Sequence, residues 1–324
     1  MKVLHVTGVY PSPENPHTGS FIGFQVDSLR KKGIQADVCV LKGRGLKKYL
    51  GGIYQVREKL RSKEYDIVHA HYMYAGWTAR LATTLPLVVS YMGNDVLGNC
   101  DDSGRYTLRT ILSHRFLSNL LSILSSYSIA KSHELANCLI TKKKSVIPNG
   151  IDLEIFRPKE VDRLELNLPE EKFYILFAGR KSDPVKRYPL AKAAVDLLRQ
   201  SISSVELITV EGKPPSMVAD YLNAVNCLLL TSAHEGSPNI VKEALACNLP
   251  IVAVDVGDIR ERLEGVENCY LVKHDPVHIS SALQKVLQTN TRLRNGRNKV
   301  LALSLEAVAD KIIEIYKIIL KRTG

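Results

Sequence analysis

The sequence predicts an α/β protein of two Rossmann-like, doubly wound domains facing a central cleft. Three observations lead there. Short apolar runs recur at strand length, amphipathic stretches of helical length separate them, and the alternation stops at a proline-containing joint and then restarts. Strands alternating with helices build parallel sheets, and open parallel sheets bind ligands at the carboxyl ends of their strands.

In the first half the strand-like runs are Val3 to Val9, Ala36 to Leu41, Ile67 to His71 and Leu85 to Ser90, with Ser145-Val146-Ile147 further on. Helices are expected over Phe21 to Lys32, Gly52 to Lys63 and Ala75 to Thr83. The joint runs from Arg157-Pro158-Lys159 to Leu168-Pro169-Glu170. Beyond it, strands are expected at Tyr174 to Ala178, Val205 to Thr209, Cys227 to Leu230, Ile251 to Val254 and Tyr270 to Val272. The helices between them fall at Tyr188 to Arg199, Met217 to Val225, Asn239 to Ala246 and Val277 to Gln288, and Leu305 to Leu320 forms a last one. The expected division is 1–155, 156–303, and a C-terminal helix over 304–324 that packs back toward the first domain.

The 324 residues, 45% hydrophobic and 24% charged, suffice for a core in each domain and exclude disorder or a collagen-like repeat. No apolar run reaches the roughly 18 residues of a membrane span, and Pro11 interrupts the start too early for a signal-peptide core. A cytoplasmic protein is expected. The six cysteines, at 39, 100, 138, 227, 247 and 269, form no CxxC pair and read as reduced, packed thiols.

The net charge of +11 is unevenly placed. Residues 1–150 carry 20 Lys and Arg against 10 Asp and Glu, whereas 151–324 carry 24 against 23. Nucleic acid, an anionic membrane surface or an acidic small molecule would suit the basic half. No nucleic-acid partner is expected, since no recognition motif with interleaved aromatics occurs. A dinucleotide-dependent dehydrogenase is disfavoured because Thr7-Gly8-Val9-Tyr10-Pro11 lacks the remaining glycines of G-x-G-x-x-G. Lys142-Lys143-Lys144 reads either as a solvated turn or as a phosphate or lipid contact. The basic run from Lys42 to Lys48, followed by Arg57, Lys59, Arg61 and Lys63, sits around an apolar stripe of Ile53, Val56 and Leu60. It is either a core-packed helix with a wet basic face or a surface that rests on an anionic membrane, allowing a lipid-linked acceptor to enter.

Two clusters carry chemistry. In His234-Glu235-Gly236-Ser237-Pro238-Asn239-Ile240-Val241-Lys242-Glu243, Pro238 suits the first turn of a helix whose free N–H groups face the sheet's carboxyl edge. Glu235 and Glu243 then address different ends of an elongated ligand, and carboxylates accept well from sugar hydroxyls. In Gly179-Arg180-Lys181-Ser182-Asp183-Pro184-Val185-Lys186, Arg180 and Lys186 lie after a strand, where together they could neutralise a diphosphate. His69 and His71 share one strand face without a third ligand, and Asp101-Asp102 reads as a loop or cap, so no metal is expected. His71 is open between packing and lining the cleft.

These residues resemble the family 4 glycosyltransferases, retaining enzymes of the two-Rossmann GT-B architecture, and within them the bacterial cell-surface polysaccharide branch with teichuronic-acid-type transferases. The resemblance rests on Glu235 and Glu243 seven residues apart, Ile147-Pro148-Asn149-Gly150-Ile151-Asp152 with Phe156 and Pro158, Gly179-Arg180 with Lys186, and Pro250-Ile251-Val252 to Gly257. Asn268-Cys269-Tyr270-Leu271-Val272 and Gly19 extend it over nearly the whole chain.

It implies a metal-independent transferase that moves a sugar from a nucleotide diphosphate sugar, UDP-sugar favoured as the commonest, to a glycan or lipid-linked acceptor in cell-surface polysaccharide biosynthesis, with no cofactor. The acceptor would be received by the first domain and the donor by the second. The resemblance assigns Arg180 and Lys186 to the diphosphate, Glu235 to the donor sugar and Glu243 to the ribose. Gly179, Gly236, Ser237, Pro238, Asn239 and Ile240 would complete the donor site, and Gly19 would let a loop approach the diphosphate. Retention is explained in the family by front-face attack without a protein nucleophile.

Three departures stand out. Met92 occupies the place where many relatives have a histidine that touches the donor sugar, leaving Gly93, Asn94 and Asp95 to line the cleft. Asn248 replaces a common glycine, and the chain between Val210 and Leu228 is short near the expected base site. Met92 also motivates the rival reading, a catalytically silent nucleotide-sugar binding or scaffold protein.

Overall fold

The structure, a computed structural model, describes residues 1–101 and 107–323; Asp102 of the expected acidic turn lies outside them. Two compact units result, one of Met1–Asn99, Thr107–Gly150 and the chain from Leu303 onward, the other built on Ile151–Ala302.

The first unit opens with β1 (Lys2–Thr7), α1 (Ser20–Lys31), β2 (Gln35–Val40), α2 (Gly45–Ser62), β3 (Ile67–His71), α3 (Met73–Ala82) and β4 (Leu87–Tyr91). It continues through α4 (Asn94–Leu97), α5 (Leu108–Leu124), β5 (Tyr127–Ala130), α6 (His133–Cys138) and β6 (Lys144–Val146). The second holds β7 (Phe173–Ala178), α7 (Tyr188–Arg199), β8 (Val205–Val210), α8 (Pro215–Ala224), β9 (Cys227–Leu230), α9 (Asn239–Ala246), β10 (Ile251–Val254), α10 (Ile259–Leu263), β11 (Cys269–Val272) and α11 (Pro276–Thr289). The last helix, α12 (Leu305–Thr323), returns to the first unit.

Both sheets are parallel, ordered β2-β1-β3-β4-β5-β6 and β11-β10-β9-β7-β8. In each, the first strand lies between the second and the third, so successive crossovers leave to opposite faces and open a crevice at the carboxyl ends of the first and third strands. Apolar side chains cover both faces of each sheet. In unit 1 one core gathers Val56 of α2, Met73 and Ala79 of α3 and Leu121 of α5. The other gathers Ile22, Val26 and Leu29 of α1 with Val308, Ile312, Ile315 and Ile319 of α12, one helical stripe against another. In unit 2, Val195 and Leu198 of α7 join Leu283 and Val286 of α11 over Ile175, Phe177 and Leu229.

Helix α2 starts seven residues before the expected Gly52. Gly52 packs so closely on Leu41 that a Cβ would lie 2.9 Å from Leu41 Cδ2, so its weak helix propensity is outweighed by a close crossing. The basic stretch is also less free than its composition suggests. Lys48 Nζ donates to the Gly8 carbonyl, Arg57 Nη2 to the Leu81 carbonyl at 3.0 Å, and Lys63 pairs with Asp37 at 2.6 Å. Lys144, the last of the lysine triplet, donates to the carbonyls of Ala136 and Leu139 at 2.6 and 2.5 Å, while Lys142 and Lys143 are exposed.

The expectation that His69 and His71 lack a third companion is corrected: β1 pairs with β3 so that His5 lies opposite His69. The ligand nitrogens of the three histidines lie within 4.8 Å of one another, and all three residues are fully buried. His5 Nδ1 and His71 Nε2 are 3.1 Å apart and share a proton, while His69 engages Tyr316 Oη at 2.6 Å and Ser90 Oγ at 2.9 Å. Both nitrogens of His69 are thus committed and the Lys131 charge bears on His69 and His71, a poor setting for a cation. Burial holds His5 at about 3 and drives His69 and His71 well below the ordinary value. His71 itself has no exposed surface.

Neutral in the folded state, these histidines take up protons near pH 6.5 once unfolded, so acid favours the unfolded chain. Stability is expected to hold above pH 6.5 and to fall as pH drops below it, by about 1.4 kcal/mol per histidine at about pH 5.5. Urea unfolding across this range measures the slope, and His5→Gln, which cannot titrate, should remove roughly a third of it. Identical slopes in the two proteins would disprove this origin.

Candidate functional site

In unit 2 the crevice of the sheet lies where β7 and β9 end side by side. After β7 the chain passes Gly179 and Arg180 into a short 3-10 turn over Pro184–Lys186, begun by Asp183, whose Oδ1 accepts from Val185 N at 3.0 Å. After β9 it passes Thr231 and Ser232 to Glu235. Thr231 Oγ1 donates to the Lys186 carbonyl at 2.8 Å, and Ala233 N to the Val185 carbonyl at 2.8 Å, stitching the two loops together.

This stitching brings two of the expected site residues into contact. Lys186 Nζ donates to Glu235 Oε1 at 2.5 Å, and Ser232 Oγ donates to the same oxygen at 2.7 Å. The pair is partly sheltered, with 24% and 15% of the two side chains exposed. Gly179 makes room for it. Its φ is +138°, and a Cβ there would stand 2.8 Å from Lys186 Cγ, so any larger residue would displace the lysine stem. Arg180, in contrast, is exposed, and its guanidinium has no partner among the described residues. The site therefore offers one cation fixed by a carboxylate and one free to close on an incoming anion.

Helix α9 spans the expected Asn239–Ala246, with Pro238 as its N-cap rather than in its first turn, and no side chain caps it. As at any helix start, the first N–H groups of α9 point toward the end of the helix rather than into its own ladder. Gly236, Ser237 and Pro238 are buried and Asn239 and Ile240 half-buried. The Ser237 hydroxyl donates to Asp258 Oδ2 at 2.8 Å, which also accepts from Arg262 Nε at 3.1 Å; Ser237 thus anchors the loop with its side chain and can meet a ligand through its backbone. Asp258, Ser232 and Thr231 escape the sequence motifs, whereas Gly257 closes one of them. A Cβ on Gly257 would lie 2.6 Å from the Gly236 carbonyl oxygen, so this glycine seats the loop that carries Glu235. Only the glycine itself, three residues beyond a strand, signals that in the sequence.

Glu243 lies more than a turn inside α9, half-buried, and burial pushes its carboxyl up to about 7 against the pull of Lys242. Lys242 is fully buried, which lowers its ammonium to about 8 while Asp258 and Glu243 favour the charged form.

The remaining expected residues belong to unit 1. Gly19 caps α1 with φ +70°, and a Cβ would meet the Val9 carbonyl oxygen at 2.9 Å, so its first duty is close backbone packing. Asp95 does not line an open surface. It is 5% exposed, and its carboxylate accepts from Met92 N at 3.0 Å, Gly93 N at 2.8 Å and Met73 N at 3.2 Å, tying the loops after β3 and β4 together. Gly93 is buried and Asn94 exposed. Between those loops Tyr72 adopts φ +73°, a conformation that costs a non-glycine residue on the order of 1–3 kcal/mol.

Comparison with known proteins gives two family matches, to glycosyl transferases group 1 over residues 169–289 and to glycosyltransferase family 4 over residues 22–155. The putative teichuronic acid biosynthesis glycosyltransferase TuaC of Bacillus subtilis strain 168 is 27% identical, over 80% of this chain and 82% of that protein. Among solved structures, sucrose-phosphate synthase from Thermosynechococcus elongatus matches with a TM-score of 0.82 at 16% identity, covering 99% of this chain and 100% of that one. The Anabaena Alr3699/HepE complex with UDP and glucose matches with a TM-score of 0.65 at 16% identity, covering 100% and 99%.

With its carboxyl near 7, Glu243 accepts hydrogen bonds as a full carboxylate only above that pH. A ligand whose hydroxyls donate to this carboxylate is expected to bind less tightly as pH falls from about 8 to about 6, by up to about tenfold, and calorimetry with UDP as the probe measures it. Glu243→Gln should bind more weakly and lose that pH dependence. A wild-type profile equally flat would show that Glu243 does not touch the nucleotide.

Proposed function

Since the chain belongs to the group 1, family 4 glycosyltransferases, enzymes that draw on nucleotide-sugar donors, we propose that it transfers a sugar with retention from a UDP-sugar to a glycan or lipid-linked glycan in cell-surface polysaccharide synthesis. The observation that carries this reading is the Lys186–Glu235 pair at the ends of β7 and β9, with exposed Arg180 on the same loop.

The chemistry follows from those groups. The donor's anomeric carbon parts from the β-phosphate oxygen, and negative charge accumulates on the departing diphosphate. Lys186 and Arg180 stabilise that charge as it forms, the more effectively because Lys186 is already positioned and partly shielded from water. The acceptor oxygen bonds to the same face of the anomeric carbon and its proton passes to the leaving phosphate oxygen, so no protein nucleophile is needed. When the diphosphate takes a share of Lys186, Glu235 gains capacity to accept from a sugar hydroxyl while Ser232 still holds its position. The names of two neighbours support the donor class: HepE is described with UDP and glucose, and MnaA of S. aureus with UDP.

Two expectations test the reading. Arg180→Ala and Lys186→Ala should each lower turnover of a labelled UDP-sugar by about 10² or more while the proteins stay folded, the scale of losing one electrostatic stabiliser. Near-native turnover in both would put the reaction elsewhere. Because two side chains neutralise the diphosphate, activity should also survive exhaustive chelation, and a strict need for added divalent ion would refute this leaving-group chemistry. Turnover itself, with the anomeric configuration of the product, distinguishes a retaining transferase from a silent nucleotide-sugar binder.

A further inference from the structure

Helix α5 is apolar on both sides. Its inner face, with Leu121 and Ser118, is buried against the sheet of unit 1. On the opposite face stand Leu108, Leu112, Phe116, Leu120 and Ile123, at spacings of four, four, four and three residues, each between 39% and 69% exposed. A helix with apolar side chains all round normally has a second partner. The feature is confined to one layer of the unit: on the layer formed by α1 and α12, Ile318 is the sole exposed large apolar side chain among the described residues.

The chain after α6 extends this ridge. Asn119 pins it to α5, donating to the Cys138 carbonyl at 3.1 Å and accepting from Ile140 N at 2.7 Å. Ile140, 65% exposed, is thereby placed beside the helix, and the exposed Lys142 and Lys143 follow. Arg109 and Arg115 on the helix are exposed too, and the sequence from Ser103 to His133 contains no Asp or Glu. An apolar strip edged by cations, free of acids, results.

From this we propose that α5 and the Ile140–Lys143 segment are a membrane-docking face, with the apolar chains entering the acyl boundary and the cations on anionic headgroups. Charge selects the occupant. Two copies of the chain meeting through this face would set the same cations against one another, whereas an anionic bilayer neutralises them and accepts the leucines at once. The cations around α2 are partly consumed by internal bonds, so the docking element is α5, and its grip is apolar as well as electrostatic. This deepens the lipid-linked reading of the acceptor and rests on it only for its purpose.

Sedimentation with phosphatidylcholine vesicles, with and without phosphatidylglycerol, tests it. The protein is expected to sediment with the anionic vesicles, less so at high salt, and the Phe116→Trp variant to shift its emission to the blue on adding them. The combined change Leu112→Ser, Phe116→Ser and Leu120→Ser, at outward positions that leave the core intact, should cut binding by at least about tenfold, as should Arg109→Glu with Lys142→Glu and Lys143→Glu. Both variants should still bind UDP, which separates failure here from failure of the transferase reading. The proposal is overturned if wild type stays in solution, if the emission of the Phe116→Trp variant does not move, or if the serine variant binds as wild type does. It is equally overturned if ultracentrifugation shows a dimer that the serine changes dissociate.

Discussion

Strand order is the constraint on which the site depends. Placing β7 between β8 and β9 forces the crossovers to leave on opposite faces, so the loops after β7 and β9 have no helix above them. Two neighbouring loops with exposed carboxyl ends would be mobile, and here side chains and backbone fasten them: Thr231 to the Lys186 carbonyl, Ala233 to Val185, and Lys186 to Glu235. Every other feature of the site is a means of permitting those contacts, from the missing Cβ of Gly179 to that of Gly257. A fixed ammonium at such an opening costs little further ordering when an anion arrives, which is the physical content of preorganisation.

The same topological position is used differently in the two units. In unit 1, β1 and β3 meet over His5, His69 and His71, all buried and neutral, closed off by Tyr316 from α12. In unit 2 the corresponding strands end in charged groups within reach of water. Polar groups at the first position tie elements together, His69 of β3 reaching Tyr316 of α12 and Ser90 of β4. At the second they remain exchangeable.

Much of this was legible before any coordinates. β3, β9 and β10 occupy the spans their apolar runs indicate, and α7 and α9 likewise, because strands buried on both faces and helices with a single apolar stripe leave unambiguous patterns. β5 was not legible, since Tyr127-Ser128-Ile129-Ala130 follows a serine-rich turn and is short. Helix α5 escaped for the opposite reason: leucines on both faces erase the periodicity that marks an amphipathic helix. Within the site, Glu235, Glu243, Arg180 and Lys186 stand out as a motif, but Ser232 and Asp258 matter only through partners that the fold brings near. His5 belongs to the same class. Its place beside His69 follows from a pairing between strands 64 residues apart, which no local window contains.

The return of α12 to unit 1 bears on how the chain is made. Ile22, Val26 and Leu29 of α1 find their cover in residues 308–319, which leave the ribosome only after the whole of unit 2. Unit 2, whose last residue is Ala302, can complete its core during synthesis, whereas unit 1 must wait with one apolar face open. The usual order of vectorial folding, N-terminal domain first, is therefore reversed. A nascent chain of this protein carries a finished second half behind an unfinished first, a surface for holdase chaperones that disappears when the last helix docks.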